Sequence, residues 1–141
     1  MTKLLIIEDD IPFSNLVEAV LASSGEYCIS KTTTLHEGIA WIEAHEAGEI
    51  DAVLLDLKLP DSHPENTVSE VKKAAKNKAA IVVLSANKSD GMEERCIRSN
   101  ANGFVDKDKP LRGLDVEIAK AIENWARCRI LKTATDTIAA G

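Results

Sequence analysis

The chain has 141 residues, 45% of them apolar, which suffices for one compact domain with a core and is too little for two. Its formal charge of -6 argues against nucleic acid and anionic membranes as partners, because polyphosphate surfaces reward clustered Lys and Arg, and leaves protein and metal partners as the better fit. Cys28, Cys96 and Cys128 are widely spaced with no C-x-x-C pair, so neither a disulfide framework nor a zinc site is indicated, and reduced, mostly buried thiols are expected.

The first apolar run, "LLIIE" at 4–8, is strand length and predicts a strand buried on both faces. Phe13, Leu16, Val17, Val20 and Leu21 then fall at i, i+3, i+4, i+7 and i+8, the stripe of an amphipathic helix that ends before Gly25. "YCIS" at 27–30 is a weaker strand, followed by a helical stripe at Leu35, Ile39 and Ile42 with Gly48 as its stop. "AVLLD" at 52–56 is the next buried strand, and Val68, Val71 and Ala75 form a third helix stopping near Asn77. After "IVVLS" at 81–85, a fourth helix is expected from "SDGMEE", where Asp90 and Glu93 have capping-box spacing ahead of Cys96 and Ile97. "GFVDK" at 103–107 is the last strand, and Leu114, Ile118, Ile122 and Trp125 mark a long helix that extends past Arg129 before a frayed "TATDTIAAG". The order is (βα) five times, which predicts an α/β fold: a doubly wound, parallel, five-stranded sheet of the flavodoxin-like type, with helices on both faces. No stretch approaches the roughly 18 apolar residues of a membrane span. The start "MTKLLIIEDD" turns acidic where a signal peptide needs apolar length, so a cytoplasmic protein is expected.

In an open parallel sheet, ligands collect beyond the carboxyl ends of the strands. Those ends carry Glu8, Asp9 and Asp10, then Asp56, then Ser85, then Lys107. Carboxylates held together repel, and one must keep a proton unless a cation neutralises them. Oxygen donors suit Mg²⁺, which binds through one or two carboxylates plus water and phosphate oxygens. The set has the makings of a Mg²⁺ site prepared for a phosphoryl group, with Asp56 as nucleophile, an ammonium stabilising transferred charge and a hydroxyl holding one oxygen. Blander readings stand beside this one. Asp56 alone could be a turn former, Asp10 an N-cap, Ser85 a plain strand-end hydroxyl and Lys107 a surface lysine. His36, His45 and His63 lack ligand spacing and are read as solvated, while Trp41 and Trp125 are read as packing residues.

The segments "IIEDD", "LLDLKLPD", "VVLSA" and "ANGFVDK", in this order and over roughly residues 3–125, resemble the receiver domain of two-component response regulators. The resemblance implies that Asp56 accepts a phosphoryl group from a histidine kinase or histidine phosphotransfer protein. It also implies Mg²⁺ as cofactor, with Asp9 and Asp56 as ligands, Glu8 acting through water and the backbone carbonyl of Lys58 as a further ligand. Ser85 and Lys107 are implied to hold phosphoryl oxygens, and Ser85 with Phe104 to form the switch. Such a chain is a signalling phosphoacceptor and not a free-standing enzyme; its output is a downstream protein target or effector domain, with a homodimer through the fourth helix, fifth strand and fifth helix as one form. The domain is expected over 1–126, with 127–141 as a helical extension or tail.

Three departures qualify the match. Lys107 is followed by Asp108, and proline arrives only at Pro110, which leaves Lys109 as a competing amine; Lys107 is preferred because it closes the run after "GFV". Pro64 replaces a common glycine, pushes His63 toward extended geometry and leaves Ser62 with Glu65 as a cap for the next helix. Lys58 and Asn87 occupy positions that modulate water access in this family. Two other readings compete with this one. An aspartyl-phosphate phosphatase of haloacid-dehalogenase type needs a second acid two residues after the nucleophile, where Lys58 stands; a degenerate receiver acting as a constitutive binding module needs a missing site residue, and none is missing. The residues after Trp125 leave no room for a helix-turn-helix, so the chain is expected to be either a single-domain regulator or the amino-terminal piece of a longer protein.

Overall fold

A computed structural model describes residues 1–86 and 91–140, with the side chains of residues 92, 93 and 131–140 left aside. Its elements run β1 (Thr2–Ile7), α1 (Ile11–Ser24), β2 (Tyr27–Thr32), α2 (Leu35–Glu43), β3 (Ala52–Asp56), α3 (Pro64–Ala75), β4 (Ala80–Ser85), α4 (Met92–Arg98), β5 (Gly103–Asp106) and α5 (Leu114–Ala140). The strands form one parallel sheet in the order β2-β1-β3-β4-β5. Every residue of β3 and β4 is buried, as unbroken apolar runs require when helices cover both faces. Alternation along the strands divides the core. Leu5, Ile7, Val53, Leu55, Ile81 and Val83 face α2, α3 and α4, whereas Leu4, Ile6, Leu54, Val82 and Leu84 face α1 and α5.

The helix stripes are present with local corrections. Val17 and Leu21 of α1 are fully buried, but Leu16 is 52% exposed, and the buried arc instead takes in Ser14. The second helix stops at Glu43, well before Gly48, and the third at Ala75. Ser62 does not cap α3: His63 is the N-cap with no side-chain bond, Pro64 takes the first turn, and the Ser62 hydroxyl pairs with that of Thr67 at 2.9 Å. His63 is extended (φ -88°, ψ 134°), as expected of a residue before proline. Gly91 is the N-cap of α4 without a side-chain bond, and Asp90 lies outside the described residues, as does Asn87. The final helix does not fray at "TATDTIAAG" but continues to Ala140. Cys96 is buried, but Cys28 and Cys128 are exposed, because they sit on an edge strand and on the outward part of α5. No helix among the described residues is long and apolar enough to cross a membrane.

Trp41 and Trp125 pack against the two core halves. His45 is not simply solvated: its ring stacks on Trp41 at 3.7 Å and its Nδ1 lies 2.6 Å from the Trp41 carbonyl. Helix α2 lies close against β1 at Gly38, where an added Cβ would lie 2.3 Å from Cδ1 and 2.8 Å from Cγ1 of the fully buried Ile7. Because Ile7 is β-branched and enclosed, its side chain has little room to rotate away. Gly38→Ala is therefore expected to destabilise the fold by about 1–3 kcal/mol in urea denaturation, despite alanine's better helix propensity.

Candidate functional site

Strand order reverses between β1 and β3, so their carboxyl ends open a crevice that no crossover helix covers. Ile7 pairs with Leu55, which sets Glu8 level with Asp56 on adjacent strand ends. One strand over, Asp56 pairs with Leu84, and Ser85 then pairs with Asp106. The Lys107 amide donates to the Ser85 carbonyl at 3.0 Å, so the lysine leaves the sheet beside the hydroxyl. Four strand ends thus deliver the sequence-derived residues to one crevice.

Asp10 is the N-cap of α1, its Oδ1 accepting from the Phe13 amide at 3.1 Å. Oxygens of Glu8, Asp9 and Asp56 all lie within 4.8 Å of one another, a grouping of three found nowhere else among the described residues. Glu8 is 1% exposed and Asp56 5%, while Asp9 is at the surface. The Lys107 ammonium sits 2.5 Å from Glu8 Oε1 and 3.4 Å from Asp56 Oδ1, above the Phe13 ring at 4.6 Å from its centroid. The Lys58 amide donates to Asp56 Oδ1 at 3.1 Å. Burial, reinforced by Asp56, pushes the Glu8 carboxyl up to about 8 against the opposing pull of Lys107. Asp9 is raised as well, by desolvation and then by Asp56.

One ammonium cannot neutralise three carboxylates, and Glu8 Oε2 is buried with no hydrogen-bond partner among the described residues. An orphaned oxygen and two acids displaced upward are what a hard divalent cation would relieve, so the donor set fits Mg²⁺. Ser85 is 2% exposed at the far wall. Phe104 pairs with Val83 and packs against the α2–α4 half of the core; Ser85, two residues after Val83, lies on that same face of the sheet.

Three contributors escaped the reading of the sequence. Phe13 belongs to the apolar stripe of α1, yet its ring also lies under the Lys107 ammonium. Thr67 is fully buried and its hydroxyl ties α3 to the chain after Asp56, through the Leu57 carbonyl at 3.3 Å and Ser62. Asp61 accepts from the amides of Leu35 and His36, each at 2.8 Å. A polar residue inside an apolar helical stripe is the signal for Thr67; Asp61 offers none beyond the turn motif around it.

Solved structures share the fold. A CheY-like response regulator receiver domain protein from Methanospirillum hungatei JF-1 superposes with a TM-score of 0.74 at 22% identity, over 90% of this chain and 98% of that one. A two-component response regulator from Clostridium difficile gives 0.73 at 21% identity, over 86% and 95%. The receiver domain of a sensor histidine kinase from Pseudomonas aeruginosa PAO1, which holds a magnesium ion in its active-site cleft, gives 0.71 at 22% identity, over 86% and 98%. At these identities the likeness speaks for the fold. Membership rests on the sequence itself: the family model of the response regulator receiver domain matches residues 4–119, most of the chain, and the chain belongs to that family.

Proposed function

We propose that Asp56 is the phosphoacceptor of this receiver domain and that Glu8, Asp9, Asp56 and the Lys58 backbone carbonyl hold Mg²⁺ for the transfer. The observation that carries this reading is the carboxylate cluster itself: three acids from two strand ends, two of them buried, one oxygen of Glu8 with no partner among the described residues and one lysine shared between Glu8 and Asp56. When bound, the ion supplies positive charge to the phosphoryl oxygens and to the acids around them.

The chain's own residues do the rest. Asp56 is held by the Lys58 amide, which orients its carboxyl group. A bond forms from an Asp56 oxygen to phosphorus as the donor's P–N bond breaks, and the electron pair leaves with the imidazole nitrogen of the donor histidine. Lys107, already 3.4 Å from Asp56 Oδ1, pairs with one phosphoryl oxygen. Ser85 gives its hydroxyl to another. Movement of Ser85 toward the phosphoryl group frees space on the face it shares with Phe104, and the ring, now half-buried, turns inward. The surface of α4, β5 and α5 changes with it and is read by a downstream protein or effector domain, including as a homodimer. Residues 1–126 act as the receiver, with the outer part of α5 as an extension, and the protein works in the cytoplasm.

The experiment is direct. Incubated with a small phosphodonor and Mg²⁺, the protein is expected to gain one phosphoryl mass, and in excess chelator to gain none; equal gain in both would remove the metal from the reading, and gain in neither would remove the reading.

A further inference from the structure

The segment between Asp56 and α3 is tied down on both flanks. Leu57 and Leu59 are buried on either side of the exposed Lys58, so the chain alternates inward, outward and inward as it leaves β3. On the α3 flank, the Thr67 hydroxyl holds the Leu57 carbonyl at 3.3 Å and the His63 carbonyl at 2.9 Å. Across the other flank, Asp61 reaches α2: Oδ1 accepts from the Leu35 amide and Oδ2 from the His36 amide, both at 2.8 Å. Leu35 and His36 open α2 and lie 26 and 25 residues from Asp61 in sequence.

That pair of bonds is more than a helix cap. A local cap already exists, since Thr34 Oγ1 accepts from the Glu37 amide at 3.1 Å. The amides of Leu35 and His36 need an acceptor, but water could serve the exposed His36 amide as well as Asp61 does. What water cannot do is join the turn after β3 to a helix seated on the core by Leu35 and Ile42. Although partial burial works the other way, the amides of His36 and Leu35 hold the Asp61 carboxyl below the usual carboxylate range, so the tether is in place as an anion at neutral pH.

We infer that Asp61 is a positioning residue, which clamps the turn after β3 to the start of α2 and thereby fixes the Lys58 backbone for metal and phosphoryl binding at Asp56. This rests on the reading of Asp56 and Lys58 given above. The clamp acts through the Lys58 peptide, whose amide is 3.1 Å from Asp56 Oδ1 and whose carbonyl is the proposed ligand. Partners behind a metal ligand commonly change affinity by about tenfold or more when removed.

The test compares Asp61→Ala with wild type in two measurements, Mg²⁺ affinity by calorimetry and amide exchange of Lys58 in metal-free protein. Asp61→Ala is expected to weaken Mg²⁺ binding about tenfold and to speed Lys58 exchange; phosphorylation should need more Mg²⁺ yet approach the wild-type rate at saturation. Asp61→Asn, which keeps one acceptor oxygen, should fall between the two and stands in if the alanine variant does not fold. Thr34→Val removes the local cap of the same helix without touching the turn, and should leave both readouts unchanged. Unaltered affinity and exchange in the Asp61 variants would overturn the inference, as would an equal loss in Thr34→Val, which would assign the effect to α2 stability. If wild type binds no Mg²⁺ and takes up no phosphoryl group, the site reading fails instead, and Lys58 exchange still reports whether the clamp exists.

Discussion

Asp56→Asn is expected to fold and to take up no phosphoryl group, with uptake from a small phosphodonor reduced at least about 10⁴-fold, the scale on which removal of a covalent nucleophile acts. Asparagine is nearly isosteric and keeps an oxygen for the Lys58 amide, so the turn after β3 retains its anchor. The Lys107–Glu8 pair does not depend on Asp56 and holds the lysine in the crevice. Only the nucleophile is lost. Neither neighbour can replace it: Glu8 is 1% exposed and bonded to Lys107, which closes it to an incoming donor. Asp9 is accessible, but among its described contacts it has neither the Lys58 amide nor the ammonium that Asp56 has. Intact mass and peptide mapping of wild type and variant check this together. A phosphoryl group recovered at Asp9, or equal uptake by the variant, would show that the nucleophile had been misassigned.

The division between what the chain revealed and what it concealed follows from the range of the interactions involved. Strands buried on both faces leave unbroken runs such as "AVLLD" and "IVVLS", so the (βα)5 order and the residues closing each strand could be read directly. Glu8, Asp9, Asp56, Ser85 and Lys107 share the crevice because strand ends in a parallel sheet lie side by side, which makes a three-dimensional cluster a matter of chain order. Helix limits were less legible. Capping depends on which residue happens to be extended, and His63 took that position from Ser62. Leu16 shows the same limit in another way: periodicity gives the stripe, but its centre is set by the angle at which α1 meets the sheet. Contacts such as Asp61 to Leu35 and Phe13 to Lys107 join segments far apart in sequence, and no spacing rule encodes them.

The acids that equip the site also set how the protein responds to pH, and Mg²⁺ is expected to offset much of that response. In the unfolded chain Glu8 ionises near its ordinary value of 4.5, whereas in the fold its carboxyl is pushed up to about 8, by burial first and by Asp56 next. Between those two values the folded protein therefore holds more protons than the unfolded one. Metal-free stability is fully present below about pH 4.5 and falls as pH rises toward 8, by up to about 1.4 kcal/mol per unit from this group. Asp9, also raised, adds to the fall in the same direction. A protonated carboxyl is a poor ligand, so Glu8 must release its proton before it can serve, and Mg²⁺ affinity should climb across the same window. Urea denaturation at pH 5.5, 7 and 8.5, with and without the ion, reads both effects. The stabilisation by Mg²⁺ is expected to be small at the lowest pH and to approach about 2.7 kcal/mol at a concentration of a hundred times Kd at the highest. Glu8→Gln removes the main source of the slope, so the metal-free variant should be more stable than wild type at pH 8.5 and nearly equal to it at the acid end, while losing Mg²⁺ affinity. Metal-free stability that rises from pH 5.5 to 8.5, or a magnesium effect independent of pH, would contradict a buried, proton-holding Glu8 at the centre of the site.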